Sequence, residues 1–420
     1  MKTTYVFVLL SLVMQTLWSQ NTLQGIVTDT NTKEALVFVN VYLPELEKGT
    51  VTNEKGNFTL NNIPNGNYKI VVSFIGYETH SQTISFPLSE NLDISLMPSA
   101  IEMEEIIIST PFHKLQSENV MKVERKDIKE LRAQGAVNLA DGISNIAGVN
   151  IVSTGMSIGK PVIRGLSSNR VLVYTQGVRL ENQQYGDEHG LGINEAGIES
   201  VEVIKGPASL LYGSDALGGV LYLNPERFAA ENSTKGNLQT RFFTNTQGYN
   251  SSAGFKSSGS EFKFLFRGSL SEHSDYETAN YRVTNTRFRE QDFKAGLGYQ
   301  KNNFKTEIRY NINRAKLGLP EGIGEQSTSR TPLEPFQDIT NHIFSSKSTL
   351  FFNDSSLDFI FGYTYNDRKE FEDHHHHEDE DEDEDHEDED EEHDENEAAA
   401  LHMKLKTFNY NVKYNLPKLP

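Results

Sequence analysis

The 420-residue chain contains no cysteine. Disulfides, thiolate metal sites and thiol nucleophiles are therefore excluded, and the absence fits export to an oxidising compartment. No basic face is available either: 39 Lys and Arg stand against 59 Asp and Glu, for a net charge of −20. A nucleic-acid footprint requires concentrated positive charge, so that class is excluded. Outside the N-terminus no apolar run approaches the ~20 residues of a membrane-spanning helix. No serine nucleophile elbow, paired-histidine zincin motif or P-loop is present, which removes the enzyme classes those motifs mark. The glycines between Gly155 and Gly165 include a Gly-x-x-x-Gly spacing, but without the βαβ context of a phosphate cradle.

What is present is concentrated. Glu372 to Glu397 holds 19 acidic residues, 6 histidines and one asparagine, with nothing basic. With that tract set aside, 40 acidic residues remain against 39 basic, so the rest of the molecule is nearly neutral. At the N-terminus Lys2, the apolar run Val6 to Val13 and a cleavage point at Ser19 or Gln20 read as a secretory signal over residues 1–19.

Short β-branched and aromatic runs follow: Leu23 to Val27, Val37 to Tyr42, Thr50 to Thr52, Asn57 to Leu60, Tyr68 to Phe74 and Asp93 to Leu96. Separated by Asp/Asn/Gly turns, they predict a small β-sandwich over residues 20–99. The segment 100–111, with Ile106 to Ile108 and a Pro111 stop, predicts an extended linker able to pair with a partner's sheet edge. Residues 112–228 predict a mixed α+β unit. Its helices fall over Asp127 to Gln134 and Asn138 to Ile143, its strands over Gly148 to Val152, Val162 to Gly165, Val171 to Tyr174 and Ile198 to Lys205.

From about residue 229 the period becomes strictly two. Phe304, Thr306, Ile308, Tyr310 and Ile312 alternate with Lys305, Glu307, Arg309, Asn311 and Asn313. Leu357 to Tyr365 and Phe408 to Tyr414 repeat the pattern. Segments of ~10 residues with one apolar and one polar face mark membrane-barrel strands. Eight are expected near 237–246, 250–257, 261–270, 291–300, 304–315, 345–352, 357–366 and 403–415. Long gaps at 271–290, 316–344 and 367–402 alternate with short ones, as outer loops alternate with periplasmic turns. Only the first gap, 247–249, breaks the rule.

Two units resemble known families. Gly49-Thr-Val-Thr-Asn-Glu-Lys-Gly-Asn-Phe-Thr-Leu60 and Pro64-Asn-Gly-Asn-Tyr-Lys-Ile-Val-Val-Ser-Phe-Ile-Gly-Tyr77 resemble the carboxypeptidase-regulatory-like domain, which implies a transthyretin-like β-sandwich without catalytic residues. Pro161-Val-Ile-Arg-Gly165, the run Arg170 to Arg179 and the long run Ile198 to Val220 resemble the plug domain of TonB-dependent outer-membrane receptors. Gln176 departs from the aspartate usual there. The resemblance implies a mainly β protein: sandwich, α+β plug, and about eight strands of a plugged transmembrane barrel. Plugged barrels close with about 22 strands, so the expectation is a truncated barrel. It also implies that Glu104, Glu105, Ile106, Ile107, Ile108, Ser109 and Thr110 form a TonB box, and that the partners are outer-membrane lipid and the TonB energy-transducing complex of the inner membrane. The cell outer membrane is the implied location, with sandwich and plug on the periplasmic side.

Imidazole and carboxylate are ligands for zinc, nickel and Cu(II), whereas soft-metal sites need Cys or Met. Half of the chain's 12 histidines lie in the acidic tract: His374, His375, His376, His377, His386 and His393. A tract of that charge attracts divalent cations and repels anionic chelates. A second candidate is the glycine-flanked turn Asp187, Glu188 and His189, which resembles the acidic-His pair at the plug apex of outer-membrane zinc receptors. The expectation is a non-enzymatic receptor importing a transition metal, zinc first. Copper, nickel or a chelated metal such as a siderophore or cobalamin are the alternatives within that class. A non-transporting surface protein that sequesters metal or adheres is the alternative outside it. No cofactor is expected beyond the divalent ion bound or carried.

Overall fold

The computed structural model describes residues 21–88, 90–99, 107, 123–183, 186, 188–352, 355–372 and 399–416. The signal segment 1–19, Asp187, every TonB-box residue except Ile107, and all six tract histidines lie outside them.

The first unit is a two-sheet sandwich of β1 (Asn21–Asp29), β2 (Asn40–Leu43), β3 (Lys48–Val51), β4 (Asn57–Ile63), β5 (Gly66–Ser73), β6 (His80–Phe86) and β7 (Leu92–Leu96). One sheet has the order β4-β1-β7 and the other β3-β2-β5-β6. Alternation drives the packing: Leu23, Val27, Val41, Leu60, Ile70 and Ile84 point inward and form the core. The run expected as a strand from Val37 becomes one only at Asn40, because Phe38 adopts a left-handed backbone (φ 57°) that interrupts extended pairing. Strand β6 was not expected, since His80-Ser-Gln-Thr83 has no apolar face to signal it.

The second unit comprises β8 (Val123–Asp127), α1 (Ile128–Ala133), α2 (Leu139–Ile143), β9 (Val149–Thr154), β10 (Ile158–Ile163), β11 (Val171–Thr175), β12 (Val178–Leu180), β13 (Ile198–Ile204) and β14 (Gly219–Pro225). Five strands form a mixed sheet, β12-β11-β14-β13-β8, and β9 pairs with β10 as a separate hairpin. Asn138 starts α2, its Oδ1 accepting from the Asp141 N–H at 2.9 Å. The β11–β12 hairpin turns through Gln176 and Gly177, both at positive φ (56° and 80°), the geometry of a two-residue type I′ turn. Gln176, the departure from the plug pattern, is used: its Oε1 accepts from Ser345 Oγ at 2.9 Å.

The third unit is one sheet of eight consecutive antiparallel strands, β15 (Ser233–Phe243), β16 (Gly248–Ser258), β17 (Phe262–His273), β18 (Phe288–Lys301), β19 (Phe304–Gly318), β20 (Phe336–Phe351), β21 (Ser356–Phe371) and β22 (Leu401–Asn415). The outer strands β15 and β22 are its two edges. One face turns outward and exposes Phe264, Phe266, Phe293, Ile308, Phe359, Phe408 and Tyr410. So large an apolar surface is a membrane-facing band, not a soluble exterior. The opposite face carries Asp292, Lys294, Glu307, Arg309, Asn311 and Asn341, all buried against the plug. Among the described residues no helix is long and apolar enough to cross a membrane.

The sandwich docks at the short-turn end of this sheet. The Glu47 carboxylate lies 3.2 Å from Lys305 and 3.6 Å from Lys347, and Lys48 pairs with Glu231 at 3.0 Å. Phe351, at the end of β20, inserts into the sandwich core edge-on to Tyr68, with ring centroids 5.8 Å apart.

Candidate functional site: the plug apex against strand β21

Residues 181–197 connect β12 to β13, and those of them described lie along the inner face of β17 to β21. Lys294 donates to the backbone carbonyls of Asn194 (3.1 Å) and Ala196. The amide of Asn194 donates to Glu290 at 2.6 Å, and Asn341 Nδ2 donates to the Gly192 carbonyl at 2.9 Å. Gly192 has φ 62°, and a Cβ there would lie 2.5 Å from Asn182 Nδ2 and 2.8 Å from Asn341 Nδ2. Only glycine permits so close an approach between plug and barrel.

At the long-loop end of this seam His189 turns inward, with 7% of its side chain exposed. Its Nε2 lies 3.0 Å from Oε1 of Glu370, in the last turn of β21. The same carboxylate oxygen accepts from Gln337 Nε2 at 3.3 Å, and Arg368 Nη1 lies 3.6 Å away. Arg368 Nη1 also donates to Gln337 Oε1 at 2.7 Å. The Arg368 side chain is fully buried, and its Nε and Nη2 have no hydrogen-bond partner among the described residues.

Chemically, an imidazole nitrogen and a carboxylate oxygen 3.0 Å apart are near the ~3.3 Å separation of adjacent ligands on a tetrahedral ion bound at about 2.0–2.1 Å. No cluster of three or more His, Cys, Asp or Glu suited to a metal ion occurs among the described residues. Glu188 and His189, adjacent in sequence, diverge in space: Glu188 is exposed while His189 faces β21. The sequence did not single out Glu370, Arg368 or Gln337. Strand parity was the available signal, because extending the outward row Phe359 to Tyr365 places Arg368 and Glu370 inward. Glu370 pairs in register with Leu401, so the chain enters and leaves the segment that carries the six tract histidines beside Glu370.

A second polar centre fixes the plug's exit. Glu226 receives Arg267 Nε at 2.7 Å and Lys256 Nζ at 3.0 Å, and its backbone carbonyl accepts from Arg309 Nη1 at 2.9 Å. Burial alone would raise its pKa, but the Arg267 and Lys256 cations outweigh this and hold the carboxyl below the usual carboxylate range. Glu199 is likewise held low: burial acts to raise it, and the Arg227 guanidinium overcomes that.

Residues 23–108 match the CarboxypepD_reg-like domain family, and residues 116–220 match the TonB-dependent receptor plug domain. The chain is 31% identical over 219 residues to the TonB-dependent receptor SusC of Bacteroides thetaiotaomicron, covering 50% of this chain and 21% of that protein. It is 38% identical over 94 residues to the vitamin B12 transporter BtuB of Photobacterium profundum, covering 22% and 16% respectively. Against the ferric yersiniabactin uptake receptor FyuA of Yersinia pestis the TM-score is 0.49 at 16% identity, over 61% of this chain and 42% of that one. The chain spans about a fifth of the length of SusC. The chain thus carries a CarboxypepD_reg-like domain and a TonB-dependent receptor plug domain ahead of its barrel strands, and is similar to TonB-dependent receptors over that part. It is an outer-membrane protein, with the sandwich and plug on the periplasmic side.

Proposed function

We propose that the chain serves a TonB-dependent receptor importing a divalent transition-metal ion, with zinc as the first candidate. The observation that carries this reading is the His189–Glu370 contact of 3.0 Å at the root of the acidic, histidine-rich loop. The tract concentrates cations through long-range attraction and offers them imidazole. Its many equivalent ligands favour no single geometry, and ordering it costs backbone entropy of ~1–2 kcal/mol per residue fixed. It therefore binds several ions weakly and exchanges them fast. His189 and Glu370 form the core of the tighter site below it; Asp187 and Glu188 are assigned to it from their place in the same turn of the sequence. In this reading the inner-membrane complex engages residues 104–110 by strand addition and pulls. Ile107 is buried with Val123, Leu172, Ile204 and Val220 in the plug, so tension on that segment acts directly on the plug's core.

One observation favours a second reading within the same class. The buried Arg368 guanidinium 3.6 Å from Glu370 opposes a bare cation and attracts an anionic metal chelate. A protein that only sequesters metal at the surface is the reading outside that class; it binds metal without dependence on proton-motive force. Metal-limited growth of a deletion strain, with zinc, copper, nickel and a ferric chelate restored singly, separates these readings. Rescue by the receptor gene at limiting zinc alone, abolished by deleting 104–110, is the expected result. Uptake that survives that deletion would remove the energy-coupling assignment.

A further inference from the structure

Arg368 is buried in full, yet only one edge of its guanidinium is engaged. Nη1 donates to Gln337 Oε1 at 2.7 Å and lies 3.6 Å from Glu370. Nε and Nη2 form the opposite edge, a rigid fork of two parallel N–H donors suited to a bidentate acceptor. Neither has a hydrogen-bond partner among the described residues. A buried charged donor left unsatisfied is costly, and in folded proteins such groups are matched by protein, water or ligand.

Arg368 lines a cavity of about 50 Å³ between the plug apex and the barrel wall. Register places Glu290, Ala315, Ile339 and Arg368 in one inward row across β18 to β21, and all four line the cavity on its barrel side. On the plug side lies Ser157, whose Oγ is a second buried polar atom without a hydrogen-bond partner among the described residues. Glu290 stands at the other end of the row, about 14 Å from Arg368 at the backbone. Its carboxylate is already held, by Asn194 at 2.6 Å and by Asn313 at 2.8 Å. One water needs roughly 10–15 Å³ of such space, so the cavity takes about three or four particles of that size. That is too little for a metal chelate and enough for a small anion.

We propose that the Arg368 fork and Ser157 Oγ bind a small monovalent anion, a halide or a one-carbon carboxylate, on the side of the guanidinium away from Glu370. Charge balance gives the anion a role, and this part rests on the metal reading above. The acids whose charge offsets Arg368 are Glu370 and Glu188. Both are assigned to the metal site, and a divalent ion held there takes up their charge. The buried guanidinium is then uncompensated, and an anion on its other edge restores neutrality at the seam between plug and barrel. Cation and anion therefore bind with positive coupling, and the coupling is reciprocal. The arginine beside a cation site is thereby accounted for: it holds the counter-ion.

The test uses the purified full-length receptor. Crystals soaked in bromide are expected to show an anomalous peak at the Arg368 fork. The melting temperature should rise with chloride or formate, but not with the bulkier isethionate at equal ionic strength. Ala315→Leu fills the cavity from the barrel side while leaving Arg368 and Glu370 in place, and should lose both effects. If that variant fails to fold, Arg368→Lys, which keeps the charge but not the fork, takes its place with the same expectation. Zinc affinity by titration calorimetry should be about ten-fold tighter in chloride than in isethionate for the wild type, and equal in both for the variant. Ordered water at the fork with no bromide peak overturns the proposal. So does a peak with neither stabilisation nor any anion dependence of zinc binding, which would make it an adventitious ion only. A receptor that binds no zinc yet shows the peak and the stabilisation by chloride would remove the metal reading and uphold the anion site.

Discussion

Nε2 of His189 and Oε1 of Glu370 meet at 3.0 Å although 181 residues separate them in the chain. One belongs to the plug and the other to the barrel strand from which the acidic loop leaves. A single contact thus joins the element expected to move during transport to the element expected to gather ions. Arg368 and Gln337 hold the Glu370 carboxylate in place from the barrel side.

Replacing Glu370 by Gln removes the anionic ligand while keeping its shape and its bond to Gln337. Uptake of limiting metal should fall at least about ten-fold, the order seen when a metal site loses a supporting group. Glu188→Ala with His189→Ala should impair uptake at every concentration. Radiolabelled zinc uptake across a concentration series is the measurement. Unchanged curves would make the pair a structural latch only.

Deleting residues 373–397 should act differently. On the proposed reading, in which the tract captures ions and does not deliver them, uptake at scarce metal should slow while the saturating rate stays nearly intact. A deletion that abolishes saturating uptake would show that capture and delivery have been assigned to the wrong elements.

Glu226 gives a pH prediction. Its carboxyl is held below its unfolded value, so the stability it contributes is present above the unfolded pKa and lost as pH falls through the folded one. The unfolded reference is about 4.3. Glu226→Gln should cost about 3 kcal/mol at neutral pH by leaving Arg267 and Lys256 uncompensated. The gap between wild-type and variant melting temperatures should be full at pH 7 and close below about pH 4. A gap independent of pH would mean that the carboxylate charge is not what fastens the plug's exit.

Phe351 belongs to β20 yet completes the core of the sandwich. Phe351→Ala should loosen docking by about 3 kcal/mol while the barrel strands, which use its backbone, stay paired. Limited proteolysis should then cut between residues 100 and 122 faster than in the wild type. Unaltered cleavage would mean that the Glu47, Lys305 and Lys347 contacts suffice to hold the domain.

The sequence made the architecture readable wherever one face of an element was apolar. Eight strands were expected and eight are present, because rows such as Phe304 to Ile312 alternate cleanly. Strand β20 was expected from 345 and begins at Phe336. Toward the long-loop end its outward residues Asp338, Thr340 and His342 are as polar as its inward residues Gln337 and Asn341, so no period survives. The same loss of contrast hid β6. At the site, His189 was visible as a ligand type in a glycine-flanked turn. Its partner was not, because long-range pairing leaves no local signal and Glu370 merges with the acid-rich run that starts two residues later.

Strand β21 carries Arg368 and Glu370 toward the plug and Asp367 and Lys369 toward the lipid. Neighbouring residues therefore belong to two different solvents, and a single inserted or lost residue within the strand would exchange them. An ammonium would then confront His189, while a buried arginine would be delivered to the membrane. Insertions and deletions between 372 and 400 carry no such penalty, since the pairing of Glu370 with Leu401 closes the strand ends independently of what lies between. Drift in the number and order of acidic and histidine residues is thus open to this loop, while the length of β21 is held invariant by the parity of a β-strand.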